Sequence, residues 1–101
     1  MTVYVTVQVK LTDREAYARY EESFMDVFNQ FDGTVLVNDY TPSLLEGEWS
    51  GDKIVVLSFP NKNSFTSWAT SEQYQAIVGD RLAGGQATIL LSEGLDQSSI
   101  S

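Results

Sequence analysis

An α+β fold of order strand, helix, strand, strand, helix, strand is predicted by three observations. The chain opens on a two-residue alternation of valines. Two later stretches repeat aromatic and aliphatic residues every three or four positions. Three short apolar runs, bounded by Gly, Pro, Asn and Asp, fall between and after those stretches.

The first strand is the clearest element. Val3, Val5, Val7 and Val9 alternate with Tyr4, Thr6, Gln8 and Lys10, the pattern of a half-buried strand rich in β-branched residues. Thr12-Asp13-Arg14-Glu15 then has the form of a capping box. Tyr17, Tyr20, Phe24, Phe28 and Phe31 follow on one helical face, which predicts a helix to about residue 31, ended by Asp32-Gly33. Residues 34–37 read as a short strand. Residues 38–52, punctuated by Asn38-Asp39, Pro42, Gly47 and Gly51, read as a loop with a brief extended stretch at Leu44-Leu45-Glu46.

Residues 53–59 are apolar on both faces and predict a central strand, stopped by Pro60. Asn61 caps a short helix carrying Phe65, Trp68 and Ala69. Thr70-Ser71-Glu72-Gln73 is a second capping pattern that restarts or bends it. Tyr74, Ile77, Val78 and Leu82 continue the apolar face until Gly84-Gly85. Residues 87–91 form the last strand. Residues 1–94 are therefore expected to make one domain, and residues 95–101 a polar tail. This order is the split β-α-β, or ferredoxin-like, pattern: an antiparallel sheet with the first and third strands inside and both helices on one face.

Two helices cover one face only, yet the second, third and fourth strands carry apolar residues on both. A second copy of the sheet, packed face to face at ~10 Å, is the economical cover for the other. Tyr4, Thr6 and Gln8 then point into the space between sheets, where polar groups need partners: each other, water or a ligand.

Composition excludes several functions. The 101 residues include six Lys and Arg against fourteen Asp and Glu, a net charge of −8, with no His and no Cys. Disulfides, thiolate nucleophiles, a histidine base and His or Cys metal ligands are all removed. The acidity opposes nucleic-acid and anionic-membrane partners. No segment has the length and apolarity of a membrane span, and no basic-headed leader opens the chain, so a cytoplasmic location is expected. No carboxylate run has calcium-loop spacing, and the glycines close a helix where a phosphate loop would open one, so neither metal nor cofactor is expected.

The remaining candidates are individual. Glu46, on the central loop with Glu48 and Asp39 nearby, is a weak candidate acid or base, against a solvated acidic loop. Arg81 is placed to anchor an anion, to pair with Asp80 or Glu72, or to stand free at a helix end that favours cations. Trp49 is a candidate pocket lid, whereas Trp68 and Tyr74 read as helix-to-sheet packing.

Asp13-x-x-x-Tyr17-x-x-Tyr20, Leu45-Glu46-Gly47-x-Trp49, Val55-Val56-Leu57-x-Phe59-Pro60, Trp68-Ala69, Ser71-x-x-Tyr74-Gln75, Arg81 and Glu93-Gly94 occur in order and at fitting spacing. Together they resemble the domain-of-unknown-function family 1330, over roughly residues 2–94. The resemblance implies a ferredoxin-like domain pairing into a dimeric α/β barrel. That superfamily also holds cofactorless monooxygenases, muconolactone isomerases and haem-binding members; a haem here lacks a His or Cys ligand. Members similar to this chain often carry Arg after the second strand and before the third, where Asn38-Asp39 and Asp52-Lys53 stand here. An ammonium in place of a guanidinium weakens a bidentate carboxylate clamp.

The functional expectation is a homodimer that binds, or transforms without a cofactor, a small and partly apolar molecule in the barrel. Tyr4, Thr6, Gln8, Glu46, Trp49 and Arg81 are its candidate contacts. The alternative is a non-enzymatic homodimeric module that docks a protein partner on its acidic surface. Fold alone does not choose between them.

Overall fold

The computed structural model describes residues 1–95, so the tail expected beyond Leu95 lies outside the described residues. Its elements are β1 (Val3–Leu11), α1 (Arg14–Phe28), β2 (Thr34–Asp39), β3 (Lys53–Phe59), α2 (Lys62–Ala69), α3 (Glu72–Gly84) and β4 (Gly85–Glu93). The strands form one antiparallel sheet in the order β2-β3-β1-β4. This is the ferredoxin-like arrangement, with the first and third strands inside.

Register explains the two faces. Val5 of β1 pairs with Leu57 of β3 on one side and Leu91 of β4 on the other. Side chains alternate across a sheet, so Val3, Val5, Val7 and Val9 share one face with Lys53, Val55, Leu57 and Phe59. The helices pack there, and the core gathers Val3, Val5, Val9, Leu57 and Phe59 with Tyr17, Tyr20, Phe28, Trp68 and Tyr74. Tyr4, Thr6 and Gln8 lie on the opposite, open face, beside Ser58, Val56 and Ile54.

Both capping boxes shift by one residue. Asp13, not Thr12, caps α1, accepting from the backbone N–H groups of Glu15 and Ala16 at 3.1 and 3.2 Å. The backbone N–H groups of Thr12 and Asp13 both donate to the Gly84 carbonyl, at 2.9 and 3.1 Å. Ser71, not Thr70, caps α3 by accepting from the Tyr74 N–H at 3.1 Å. Thr70 still belongs to the last turn of α2, bonding back to the Thr66 carbonyl through both its N–H and its hydroxyl. Asn61 caps α2 as expected.

Other boundaries differ for local reasons. The first helix stops at Phe28, with Asn29 as its C-cap. The second strand runs on through Asn38 and Asp39, because a register shift between Val35 and Val37 keeps them paired with Val55 and Ile54. The last strand begins at Gly85, paired with Leu11. Leu44-Leu45-Glu46 makes no strand pairing, and Leu82 faces solvent. Gly84 marks the closest approach of α1 and α3: a Cβ there would lie 2.5 Å from the Tyr17 backbone nitrogen. Only glycine lets the two backbones meet this closely.

Candidate binding site

The helices do not close completely over the sheet. Between α1, α2, α3 and the inner face of the sheet lies a cavity of about 350 Å³. Its floor is Val5, Val7, Val55 and Leu57, and its walls include Tyr17, Tyr20, Phe24, Trp68 and Tyr74. The walls follow from helical periodicity, because Tyr17, Tyr20 and Phe24 stand on one stripe of α1. The rings interlock: Tyr20 meets Phe24 at 5.7 Å and Tyr74 edge-on at 6.3 Å, while Trp68 meets Tyr74 at 4.2 Å.

Polar groups enter this apolar space at defined points. The Tyr20 and Tyr74 hydroxyls are 3.1 Å apart and hydrogen-bonded. Burial holds Tyr20 far above the usual tyrosine range, and the neighbouring Tyr74 hydroxyl adds to the shift. Burial also raises Tyr17, against the pull of the Lys53 ammonium. These hydroxyls therefore remain protonated at neutral pH and are available as donors.

Lys53 is 3% exposed, because β-strand alternation puts it on the inner face of β3 beside Val9. Its Nζ donates to Glu21 Oε2 at 2.6 Å. It also lies 4.9 Å from the centre of the Tyr17 ring and 4.5 Å from that of Tyr40. Tyr40 in turn donates its hydroxyl to Glu21. The cluster ties α1, β3 and the segment after β2 together beside the cavity, where Glu21 and Lys53 are part of the lining.

Arg81 lines the cavity from α3. Neither expected pairing is made: Asp80 bonds Arg19 at 3.3 Å, and Arg81 has no ion-pair partner among the described residues. Its Nε and the Trp68 Nε1 are both buried without a hydrogen-bond partner. Buried orphan donors cost about 1–3 kcal/mol each, so two of them in one lining are a signal.

Of the residues expected from sequence to contact a ligand, Arg81 alone lines this cavity. Gln8 and Trp49 come together in a second, more polar hollow of about 280 Å³ at the end of the sheet, with Lys10, Glu48, Gln86 and Thr88. Tyr4 and Thr6 lie on the open face, and Glu46 is exposed on the loop and lines neither hollow. Sequence reading missed Lys53, Glu21 and the Tyr20–Tyr74 pair. Lys53 was findable, since it occupies the buried parity of an otherwise apolar central strand. No group of three or more carboxylates is arranged to hold a metal among the described residues, and no helix there is long and apolar enough to cross a membrane.

The model of the family described as a domain of unknown function, DUF1330, matches residues 2–95. The chain belongs to DUF1330. No curated protein matches its sequence. A protein of unknown function from Rhodopseudomonas palustris superposes with a TM-score of 0.80 at 20% identity, covering 94% of this chain and 83% of that one. A dimeric ferredoxin-like protein of unknown function from Jannaschia gives 0.75 at 13% identity, over 93% and 100% of the two chains. SnoaB, a cofactor-independent oxygenase from Streptomyces nogalater, gives 0.65 at 11% identity, over 95% of each. At these identities the likeness establishes the fold of this DUF1330 chain.

Proposed function

We propose that the protein binds a small, partly apolar molecule in the cavity between helices and sheet, and that it works as a pair of chains joined through their open sheet faces. The observation that carries the first part is the cavity itself: an aromatic-walled space into which buried polar groups project. Binding is better supported than catalysis. Glu21 is the one carboxylate lining the cavity, and its Oε2 is held in place by Lys53 and Tyr40 as part of a structural ion pair. SnoaB supports the reading only in that the same fold carries small-molecule chemistry without a cofactor.

The test is calorimetric titration with 2-naphthamide, a flat neutral probe, against the protein and its Val55→Phe variant. Val55 is on the cavity floor, and phenylalanine is at home in a strand. Saturable binding that Val55→Phe abolishes, with melting cooperativity kept, is the expected result. Equal binding by both would place the probe elsewhere and refute the reading.

The second part rests on Leu36, Val37 and Leu90, which are 50%, 40% and 57% exposed, with Val37, Val56 and Leu90 on the open face near Ile54. A sheet face this apolar calls for a cover. A second copy supplies it at ordinary sheet-to-sheet spacing, and the Jannaschia protein is described as dimeric. Tyr4, Thr6 and Gln8 would then bond between the sheets, with Gln8 beside Trp49. Native mass spectrometry is expected to show a dimer, and Leu90→Glu a monomer, since the new carboxylate would be buried against an apolar partner. A monomeric wild type would overturn the pairing.

A further inference from the structure

The two buried side-chain polar atoms without a partner among the described residues both line the cavity, and both are donors. Arg81 presents a guanidinium with a buried Nε that no protein group engages, and Trp68 presents an unengaged indole N–H. The Tyr20 and Tyr74 hydroxyls share one hydrogen bond, which leaves one of their two protons free to donate. The interior therefore offers donors from three sources. The lining's one carboxylate, on Glu21, is paired through its Oε2 with Lys53 and Tyr40.

Charge points the same way. Two of the chain's six cationic residues, Lys53 and Arg81, line this cavity against a single carboxylate. The space is locally positive in a protein of net charge −8. Lys53 is neutralised by Glu21, so the uncompensated charge is that of Arg81. A planar guanidinium beside aromatic rings suits a planar anion, which it meets with two parallel hydrogen bonds.

Building on the binding role proposed above, we propose that the ligand is a flat aromatic or conjugated carboxylate, its ring held among Tyr20, Phe24, Trp68 and Tyr74 and its carboxylate held by Arg81. A neutral ligand would leave the half-buried Arg81 guanidinium without a counter-charge. A cationic ligand would meet the uncompensated Arg81 charge in the lining.

The experiment compares 2-naphthoate with 2-naphthamide, which share ring and shape and differ in charge. Both are titrated calorimetrically into the wild type, Arg81→Met and Arg81→Lys. In the wild type, 2-naphthoate is expected to bind at least about tenfold more tightly than the amide. Arg81→Met keeps the length of the side chain and should erase that preference while leaving amide affinity within about twofold. Arg81→Lys keeps the charge, loses the planar fork, and should fall between. Circular dichroism melting establishes that each variant is folded. Equal binding of the two probes by the wild type would overturn the carboxylate assignment and leave the cavity reading intact. A naphthoate preference that survives in Arg81→Met would overturn the role of Arg81. Binding of neither probe would overturn the cavity reading itself.

Discussion

Replacing Phe28 by alanine is expected to cost about 3–5 kcal/mol, at the top of the range for a core side chain. Phe28 is 1% exposed and stands at the junction of α1 with the sheet. Its ring stacks on Phe24 at 5.0 Å, and meets Phe59 edge-on at 5.7 Å and Trp68 edge-on at 5.4 Å. Gly33 leaves the space that the ring fills, since a Cβ there would collide with both Phe28 and Phe59. Truncation removes the transfer energy of the ring and leaves a void that three other aromatics border. Relaxation would be partial, because those rings also hold one another. For a domain whose whole stability is on the order of 5–15 kcal/mol, that is a large share. Urea unfolding would show the loss as a lower midpoint with an unchanged slope. A midpoint close to the wild type would mean that the aromatic junction repacks freely.

The second large effect concerns Glu21 and Lys53. The Lys53 ammonium is almost wholly buried, while the Glu21 side chain is 28% exposed. Glu21→Ala would strand the ammonium between two aromatic rings without its carboxylate. Breaking a fully buried pair from one side costs about 3–5 kcal/mol, and the partial exposure of Glu21 lowers the expectation to about 2–3 kcal/mol. Lys53→Met acts differently. It removes the buried charge, keeps the apolar stem in place, and leaves Glu21 able to reach water, so its cost should be below about 1 kcal/mol. Adding Lys53→Met to Glu21→Ala should therefore recover most of the lost stability. Thermal or urea unfolding of the four proteins in the cycle measures the coupling directly. Additive losses in the double variant would show that the pair holds no buried charge in check.

The two predictions also show what the sequence made legible. The valine alternation in β1 and the aromatic stripe of α1 set the helix-covered face, so Phe28 could be placed in the core without a structure. The open face was legible from residues such as Val56 and Leu90, which are apolar at the wrong parity. The caps were not resolved to the residue, because Thr12-Asp13 and Thr70-Ser71 each place two capping side chains in a row. At the second site the choice follows from a neighbouring bond, since Thr70 stays in the last turn of α2. The extension of β2 was hidden for a similar reason. Asn38-Asp39 has turn chemistry, and only the register shift against β3 holds it in the ladder.

The candidate site was legible in part. Reading polar residues between valines drew attention to Tyr4, Thr6 and Gln8, which lie on the open face. The cavity forms on the other face, where the helices stand slightly off the sheet, and no periodicity reports such a gap. Arg81 was visible as a cation, but its freedom from Asp80 depends on Arg19 reaching across from α1. The Tyr20–Tyr74 bond joins residues 54 positions apart and follows only from the packing of α1 on α3.

The most direct test of the account is where a ligand settles, and the two tryptophans report it. Trp68 lines the cavity between helices and sheet, whereas Trp49 lines the hollow beside Gln8 at the end of the sheet. A ¹⁵N–¹H correlation spectrum of the wild type, titrated with 2-naphthoate, resolves their two indole N–H signals. The account predicts that the Trp68 indole signal moves progressively and saturably while that of Trp49 stays in place. Movement at Trp49 with Trp68 unchanged would contradict it, and would return the site to the face that carries Tyr4, Thr6 and Gln8.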